Sequence, residues 1–277
     1  MNRTCLNGKS NRFTVFYCQS SEGKIIYKIS FMLFQQRKYR YHSNIIQMKS
    51  KKELLERGMP MKEVVGKVFS IAKDNAYIPG CTVSKSIFDG ENYIIYFSMA
   101  PETDISAEIF PYHKLIILEE GSLEVYGTGG YQRELRAGEA VLTQTDKPIG
   151  MRTEEGAIYT EISISKEDDM NSAIKAGEVF KLADLIPYQE GKVINMDIAH
   201  NDKMKFIIMS FDKGTGLSEH AAPGEALIFA LDGEGVIGYE GTEHTIKAGE
   251  EFHFAKGGAH FVKATEKFKM ALLLTLE

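Results

Sequence analysis

The sequence predicts an all-β protein that contains two tandem barrels, and two observations support this fold class. Short apolar runs such as NYIIYFSM, SLEVYG, KFIIMSF and GVIGYEG are separated by Gly, Asp and Asn at roughly even spacing. Runs of this length, rich in β-branched and aromatic residues, are typical of strands in a sandwich or barrel. In addition, the second half of the chain repeats the first.

The offset between the copies is 111 residues from Gly66 to Gly177 and 112 residues from Ser98 to Ser210, a change of one residue that falls in a predicted loop. The segment RAGEAV (Arg136 to Val141) likewise recurs as KAGEEF (Lys247 to Phe252). Two copies of a period this long indicate tandem domains, since solenoids are built from several shorter units. The residues that recur near the start of each copy are Gly66, Val68, Phe69, Ala72, Tyr77 and Gly80, which match Gly177, Val179, Phe180, Ala183, Tyr188 and Gly191.

Residues 1–47 lie outside the repeat and form a basic segment with no apolar periodicity. Three explanations stay open: a translated upstream region with Met48 as the real start, a disordered basic arm, or a genuine structural element. Without this segment the chain keeps Cys81 alone of its three cysteines. One cysteine cannot form an internal disulfide, which favours a reducing cytoplasm as the location.

The remaining chain divides into three parts. Residues 48–63 are predicted to form a short helical lead-in, with a helix over Lys49–Arg57. Residues 64–167 form the predicted N-terminal barrel and residues 168–277 the predicted C-terminal barrel, in which a turn of helix is expected near 182–185.

The charge of the chain argues against nucleic acids and membranes as partners. Of the 33 Lys and Arg residues, eight lie in 1–47, so 25 basic residues face 37 acids in the rest, a net charge of −12. Nucleic-acid binding depends on basic residues that displace counterions from the phosphates, and an acidic domain does not supply them. The most apolar run of the basic segment, IIYKISFMLF, is too short to span a bilayer and contains Lys28.

The second copy contains the sequence GLSEHAAPGEALIFALDGEG and, further on, GEEFHFAKGGAH. These segments resemble the two motifs of the cupin superfamily, G-x5-H-x-H-x3,4-E-x6-G and G-x5-P-x-G-x2-H-x3-N. His220 matches the second His of the first motif, Glu225 its acid, and His260 the His of the second motif. Three positions depart from the motifs: Ser218 stands for the first His, Ala255 for the Pro and Ala264 for the Asn.

The resemblance covers residues 66–277 and implies two jelly-roll barrels, an arrangement called a bicupin. The local sequence is similar to a bacterial subgroup of short cupins without a settled activity. The resemblance is strong for the fold and weak for the reaction, because one fold hosts many chemistries.

At the matching positions, His220, Glu225 and His260 are the predicted metal ligands. Two imidazoles and one carboxylate with open coordination positions suit non-haem Fe(II), and also Mn, Ni or Zn. Cupin metal sites usually use four protein ligands, and the hydroxyl of Ser218 is a poor substitute for an imidazole. A degraded site would show the same residues, so a metal-free pocket and a purely structural barrel stay open as alternatives.

Two functional hypotheses follow. The first is a metal-dependent isomerase or dioxygenase in which the open coordination positions polarise a carbonyl or bind oxygen. The second is a metal-free protein that binds or senses a small molecule without catalysis. In either case the ligand is expected to be small and partly apolar, with one anionic or enol oxygen. The predicted apolar wall of the second barrel consists of Met209, Phe211, Phe229, Phe252, Phe254 and Met270.

Three further histidines are predicted to lie outside the site. In the run FHFAK, Phe252 and Phe254 share a parity and should face inward, so His253 should point outward to solvent. His244 lies near a predicted hairpin tip and is expected to be solvated, and His200 lies in a predicted turn.

The first copy has none of the predicted ligands. Glu108, His113 and Gly150 stand where the second copy has His220, Glu225 and His260. The first barrel is therefore predicted to be structural or to support a homodimer through sheet edges, because unpaired strand edges invite pairing.

Overall fold

The computed structural model describes residues 61–276. The predictions for residues 1–47 and for the helix over Lys49–Arg57 lie outside the described residues. Within the described part, strands dominate and each of the three helical turns spans only three or four residues, which confirms the all-β fold class. No helix in the described part of the chain is long and apolar enough to cross a membrane.

The first repeat begins with a two-residue strand and a single helical turn, α1, and continues with strands of up to 15 residues. The helical turn begins after Ser70, whose Oγ accepts a hydrogen bond from the backbone N–H of Lys73, while Asp74 accepts from the backbone N–H of Ser70. This reciprocal arrangement resembles a capping box. The elements are β1 (Val68–Phe69), α1 (Ile71–Asp74), β2 (Thr82–Phe88), β3 (Ile94–Met99), β4 (Thr103–Ile109), β5 (His113–Gly127), a 3-10 turn (Thr128–Gly130), β6 (Gln132–Arg136), β7 (Glu139–Leu142), β8 (Pro148–Thr153), β9 (Ala157–Ile164) and β10 (Asp169–Met170).

The second repeat follows the same order of elements. Its 3-10 turn at Leu182–Asp184 corresponds to α1 and confirms the predicted turn of helix. The elements are β11 (Val179–Lys181), the 3-10 turn, β12 (Val193–His200), β13 (Met204–Phe211), β14 (Gly216–Ala221), β15 (Glu225–Tyr239), β16 (Thr242–Lys247), β17 (Glu251–Phe254), β18 (Ala259–Lys263) and β19 (Phe268–Thr275).

The strands form two sheets, one for each barrel, in which the barrel strands are joined in the same order, and β10 adds an edge strand to the second sheet by pairing with β12. The long central strands β5 and β15 each pair with four other strands and thereby join the two parts of their barrel. The two repeats exchange their first strands. Val68 of β1 pairs with Phe252 of β17 in the second sheet, and Val179 of β11 pairs with Val141 of β7 in the first.

Three apolar cores result from the alternation of side chains along the strands. One fills the interior of the first barrel around Phe97 and Tyr159, and another fills the second around Phe211 and Phe252. The third contains residues of both repeats, including Phe206, and lies between the outer faces of the two larger sheets. Both faces of these sheets are therefore buried, and burial of this apolar surface holds the two barrels together.

Candidate functional site

Two of the predicted site residues meet at the open edge of the second barrel. His220 of β14 is the cross-strand partner of His260 of β18, and their ring centroids lie 4.2 Å apart. His260 is 7% exposed, whereas His220 is exposed. The two rings therefore form a pair with one face open to solvent.

A β-bulge sets the orientation of His220. The register of β14 against β18 shifts between Leu217 and His220, so that an extra residue is inserted there. His220 thereby faces the same side of the sheet as His260, and Ser218 lies in the bulge with its side chain exposed. The residue at the position of the missing motif histidine thus contributes only its backbone to the pair.

Backbone carbonyls fix both imidazoles. The Nδ1 atom of His220 lies 2.9 Å from the carbonyl oxygen of Ser218, and Nδ1 of His260 lies 3.1 Å from that of Gly258. A carbonyl only accepts, so Nδ1 of each neutral ring carries the proton and donates it. The Nε2 atoms are then acceptors, which is also the state in which imidazoles bind metals.

Aromatic rings continue from this pair into the barrel. Phe254 stacks on His260 with centroids 4.1 Å apart, and Phe252 and Tyr239 follow at 5.0 and 5.4 Å from Phe254. Burial lowers the pKa of His260. The hydrogen bond to the carbonyl oxygen of Gly258 opposes this change, and the neighbouring His220 lowers the pKa further. His260 is therefore neutral at pH 7 and accepts a proton less readily than an exposed histidine.

The third predicted ligand, Glu225, does not join the histidine pair. In β15, Ala226 and Ile228 face the barrel interior, and Glu225 shares the opposite face with Leu227. Its carboxylate lies 2.7 Å from Nε2 of His253 and accepts the backbone N–H of Lys256. Burial opposes ionisation of Glu225, but these hydrogen bonds and one from the backbone of Met61 lower its pKa.

The prediction that His253 lies on the surface is wrong. Parity does place His253 on the face opposite Phe252 and Phe254, but the side chain is fully buried there. Its Nδ1 lies 3.1 Å from the carbonyl oxygen of Glu63, so the segment before β1 covers this face of the sheet. The outer face of a barrel strand is exposed only where no neighbouring segment packs on it, which strand parity alone does not reveal.

The predicted three-ligand metal group is not assembled. Within residues 61–276, no three His, Cys, Asp or Glu side chains are grouped so that they could hold a metal ion. The catalytic sites of zinc and non-haem iron proteins use at least three protein ligands. The two imidazoles of His220 and His260 fall short of that number because Glu225 lies on the other face of its sheet.

The predicted apolar wall is inside the second barrel with one exception. Met209, Phe252, Phe254 and Met270 belong to the interior core of that barrel, as does Phe211. Phe229 belongs instead to the core between the barrels, so its prediction as a pocket residue is wrong. The physical reason is again parity, since Phe229 alternates with Ile228 along β15.

The other two histidines lie apart from the pair. His244 is half-buried, with its ring 5.1 Å from that of Phe252, so the expectation of a solvated side chain is wrong. It stands opposite Ile237, whose side chain fills the barrel, and therefore faces inward. His200 ends β12, and its Nε2 lies 3.3 Å from a carboxylate oxygen of Asp169 in a largely exposed contact.

The first barrel holds a different polar group in its interior. Lys114 and Glu161 are 8% and 1% exposed and form an ion pair at 3.2 Å. The hydroxyl of Tyr93 donates to Glu161 at 2.7 Å, and the ammonium of Lys114 lies 3.8 Å from the centre of the Phe110 ring. Sequence reasoning missed this group because an isolated Lys and Glu in strands usually face solvent.

Strand register also corrects the match between the copies. Glu108 pairs with Ile149 just as His220 pairs with His260, so Ile149 rather than Gly150 occupies the place of His260. His113 bonds the carbonyl oxygen of Thr143 at 2.7 Å. The prediction that the first copy lacks the ligand cluster agrees with this geometry.

Comparisons with known proteins support the fold. A family model for the cupin domain matches residues 207–276. The Cupin 2 conserved barrel domain protein from Leptotrichia buccalis is similar, with a TM-score of 0.68 and 27% identity over 78% of this chain and 99% of that one. Protein Ylba from E. coli has a TM-score of 0.51 at 10% identity, over 82% of this chain and 97% of that one, a likeness of fold alone. No curated protein matches the chain.

The family model covers the strands that carry both Glu225 and the His220–His260 pair. The first repeat has the same strand order, with its motif positions occupied by other residues. The family match over residues 207–276 and the shared barrel fold show that the chain is similar to proteins of the cupin superfamily.

Proposed function

We propose that the C-terminal barrel binds a small, partly apolar molecule that carries one weakly acidic oxygen, and that it does so without a metal ion. The observation that supports this proposal is the His220–His260 pair, whose Nδ1 atoms are tied to backbone carbonyls. Both Nε2 atoms are then acceptors for an O–H group. Phe254, stacked on His260, offers an apolar surface beside them.

The two histidines are suited to unequal roles. His260 is buried and has a lowered pKa, so it stays neutral and accepts a hydrogen bond. His220 is exposed and offers its Nε2 from the solvent side of the pair. An enol or phenol would thus bind in its neutral form, with its O–H donated to Nε2 of His260.

The metal-dependent alternative requires the carboxylate of Glu225, which is hydrogen-bonded to His253 on the other face of the sheet. Glu225 would have to leave His253, which would then be buried without its partner. An unsatisfied buried polar group costs about 1–3 kcal/mol. Metal binding would therefore begin with a penalty in addition to the missing ligand at Ser218.

The first prediction concerns metal content. The full-length chain is expected to carry well under one equivalent of Fe, Mn, Ni or Zn by inductively coupled plasma mass spectrometry, even after incubation with each ion and gel filtration. Near-stoichiometric metal that is lost in His260→Ala and retained in His200→Ala would contradict the metal-free proposal. His200 is the matched control because its contact with Asp169 lies apart from the site.

The second prediction concerns the acidic oxygen. 4-Nitrophenol is expected to bind as the neutral phenol, and its absorbance is expected to shift toward that of the protonated form because its O–H donates to Nε2 of His260. His260→Ala should weaken binding by about threefold or more, as expected for loss of one neutral hydrogen bond, about 0.5–1.5 kcal/mol. Nitrobenzene has the same ring without the hydroxyl and is the control ligand. Equal binding of the two compounds, or unchanged binding in His260→Ala, would refute the proposed site.

A further inference from the structure

A cavity of about 280 Å³ lies on the outer face of the first barrel, away from the histidine pair. Its floor consists of two neighbouring pairs on β2 and β3, in which Val83 faces Ser98 and Lys85 faces Tyr96. The segment that follows α1 forms the other wall. The lining residues on that wall are Asp74, Asn75, Ala76 and Ile78.

The floor contains two buried hydroxyl groups without a partner. Tyr96 is 1% exposed and Ser98 is 5% exposed. Neither hydroxyl makes a hydrogen bond within the described part of the chain. Buried polar groups in folded proteins are nearly always hydrogen-bonded, so an unsatisfied pair beside a cavity indicates a partner that enters it.

The second repeat lacks this combination. By strand register, Ile194, Met196, Ile208 and Ser210 occupy the places of Val83, Lys85, Tyr96 and Ser98. Ser210 is also buried and makes no hydrogen bond within residues 61–276, so the serine belongs to both repeats. Lys85 and Tyr96 distinguish the first repeat, where they replace Met and Ile. The polar groups of the cavity are therefore not required by the barrel fold itself.

Negative charge predominates around the cavity. Lys85 is already paired with Glu63. Burial raises the pKa of Tyr96, and the nearby carboxylate of Glu63 raises it further, so its hydroxyl stays protonated. Asp74 adds a further acid to the rim. An anionic ligand would be repelled here, whereas a cation would be attracted.

We propose that this cavity is a second binding site, independent of the histidine pair, and that it takes a small organic ammonium compound. The ammonium group donates hydrogen bonds to the hydroxyl oxygens of Tyr96 and Ser98. The apolar part of the ligand packs against Val83 and Ile78. The site thereby satisfies the two unpartnered hydroxyls and matches the acidic surroundings.

The test compares three probes of equal length by ligand-observed NMR with the full-length protein: n-butylammonium, n-butyrate and 1-butanol. Butylammonium is expected to bind at least tenfold more tightly than the other two, with an affinity that falls as salt is added. Tyr96→Phe removes only the hydroxyl and keeps the packing of the ring. This variant, and Ser98→Ala, should each weaken butylammonium binding by about threefold or more.

Ser210→Ala is the matched control, because it removes the equivalent hydroxyl of the second repeat. It should leave butylammonium binding unchanged, as should His260→Ala. Binding of butyrate at least as tight as that of butylammonium, the absence of binding by all three probes, or unchanged binding in Tyr96→Phe would each overturn the proposal. Since the nitrophenol test reports only on the histidine pair, failure at one site is distinguishable from failure at the other.

Discussion

Replacing Lys114 with alanine is expected to lower the free energy of unfolding by about 3–5 kcal/mol, the range for breaking a buried ion pair. Lys114 and Glu161 are almost fully buried in the first barrel, and the variant leaves the carboxylate of Glu161 without its countercharge. Only the hydrogen bond from Tyr93 remains to stabilise it. Urea denaturation, followed by fluorescence of the tyrosines, measures the change.

The second repeat shows which apolar residues can replace the buried Lys114–Glu161 pair. By register, Ala226 and Leu272 occupy the places of Lys114 and Glu161. The double variant Lys114→Ala with Glu161→Leu should therefore recover at least half of the loss, because no uncompensated charge remains in the interior. A double variant as unstable as the sum of the two single variants would show that the charges do not act as a pair.

An exposed ion pair provides the control for this cycle. Lys62 and Asp89 have side chains 52% and 41% exposed. Lys62→Ala is expected to change stability by less than about 1 kcal/mol, the usual limit for a surface pair. A loss as large as that of Lys114→Ala would mean that burial does not account for the difference.

The second large effect is a dependence of stability on pH that originates between the two barrels. Burial raises the pKa of Glu119 to about 7, against an opposing hydrogen bond from Thr160. Burial also raises the pKa of Glu251, and the charge of Glu119 raises it further. The hydrogen bond from the backbone N–H of Ile71 lowers it. Both carboxyls are therefore more protonated in the folded chain than in the unfolded one.

The sign follows from this difference in proton binding. In the folded state Glu119 holds its proton up to about pH 7, whereas in the unfolded chain it releases the proton near the ordinary glutamate pKa of 4.5. The stabilisation is complete below the unfolded pKa and is lost as the pH rises through the folded pKa. Stability should thus fall between pH 5 and pH 8, by about 2–3 kcal/mol for Glu119.

Glu119→Gln tests this directly, because glutamine is neutral throughout the range and keeps an acceptor for Thr160. The variant is expected to be more stable than the parent at pH 8 and nearly equal to it at pH 5, as measured by thermal unfolding. Glu120→Gln, at the exposed neighbouring position, should change neither value. A parent chain whose stability rises from pH 5 to pH 8, with Glu119→Gln parallel to it, would contradict the proposed buried pair.

Much of the fold was predictable because the repeat and the alternation of apolar residues are local properties of the sequence. The turn of helix predicted near 182–185 is present at Leu182–Asp184, and the first repeat has its counterpart at Ile71–Asp74. The exchange of β1 and β11 was not predictable, because each pairs with a strand of the other repeat that lies far away in sequence. The homodimer and the cytoplasmic location stay predictions.

The candidate site was predicted in part. His220 and His260 were named from their motif positions, and cross-strand pairing brings them together. The prediction for Glu225 failed because the motif fixes its place along the chain, whereas the face of β15 that it occupies depends on the register of the sheet. The partnership of Glu225 with His253 could have been suspected only from knowledge that another segment covers that face.

The sequence by itself determined the fold class, the duplication and the half of the chain that carries the histidine pair, because apolar periodicity and motif spacing are readable along the chain. The tertiary structure alone decided which polar groups meet. It joined Glu225 to His253, buried Lys114 with Glu161, and set Glu119 within reach of Glu251 between the barrels. The reason is that strand register and the packing of one barrel on the other determine which face of a strand is buried. Burial in turn determines the protonation state of a side chain and the groups it can bond.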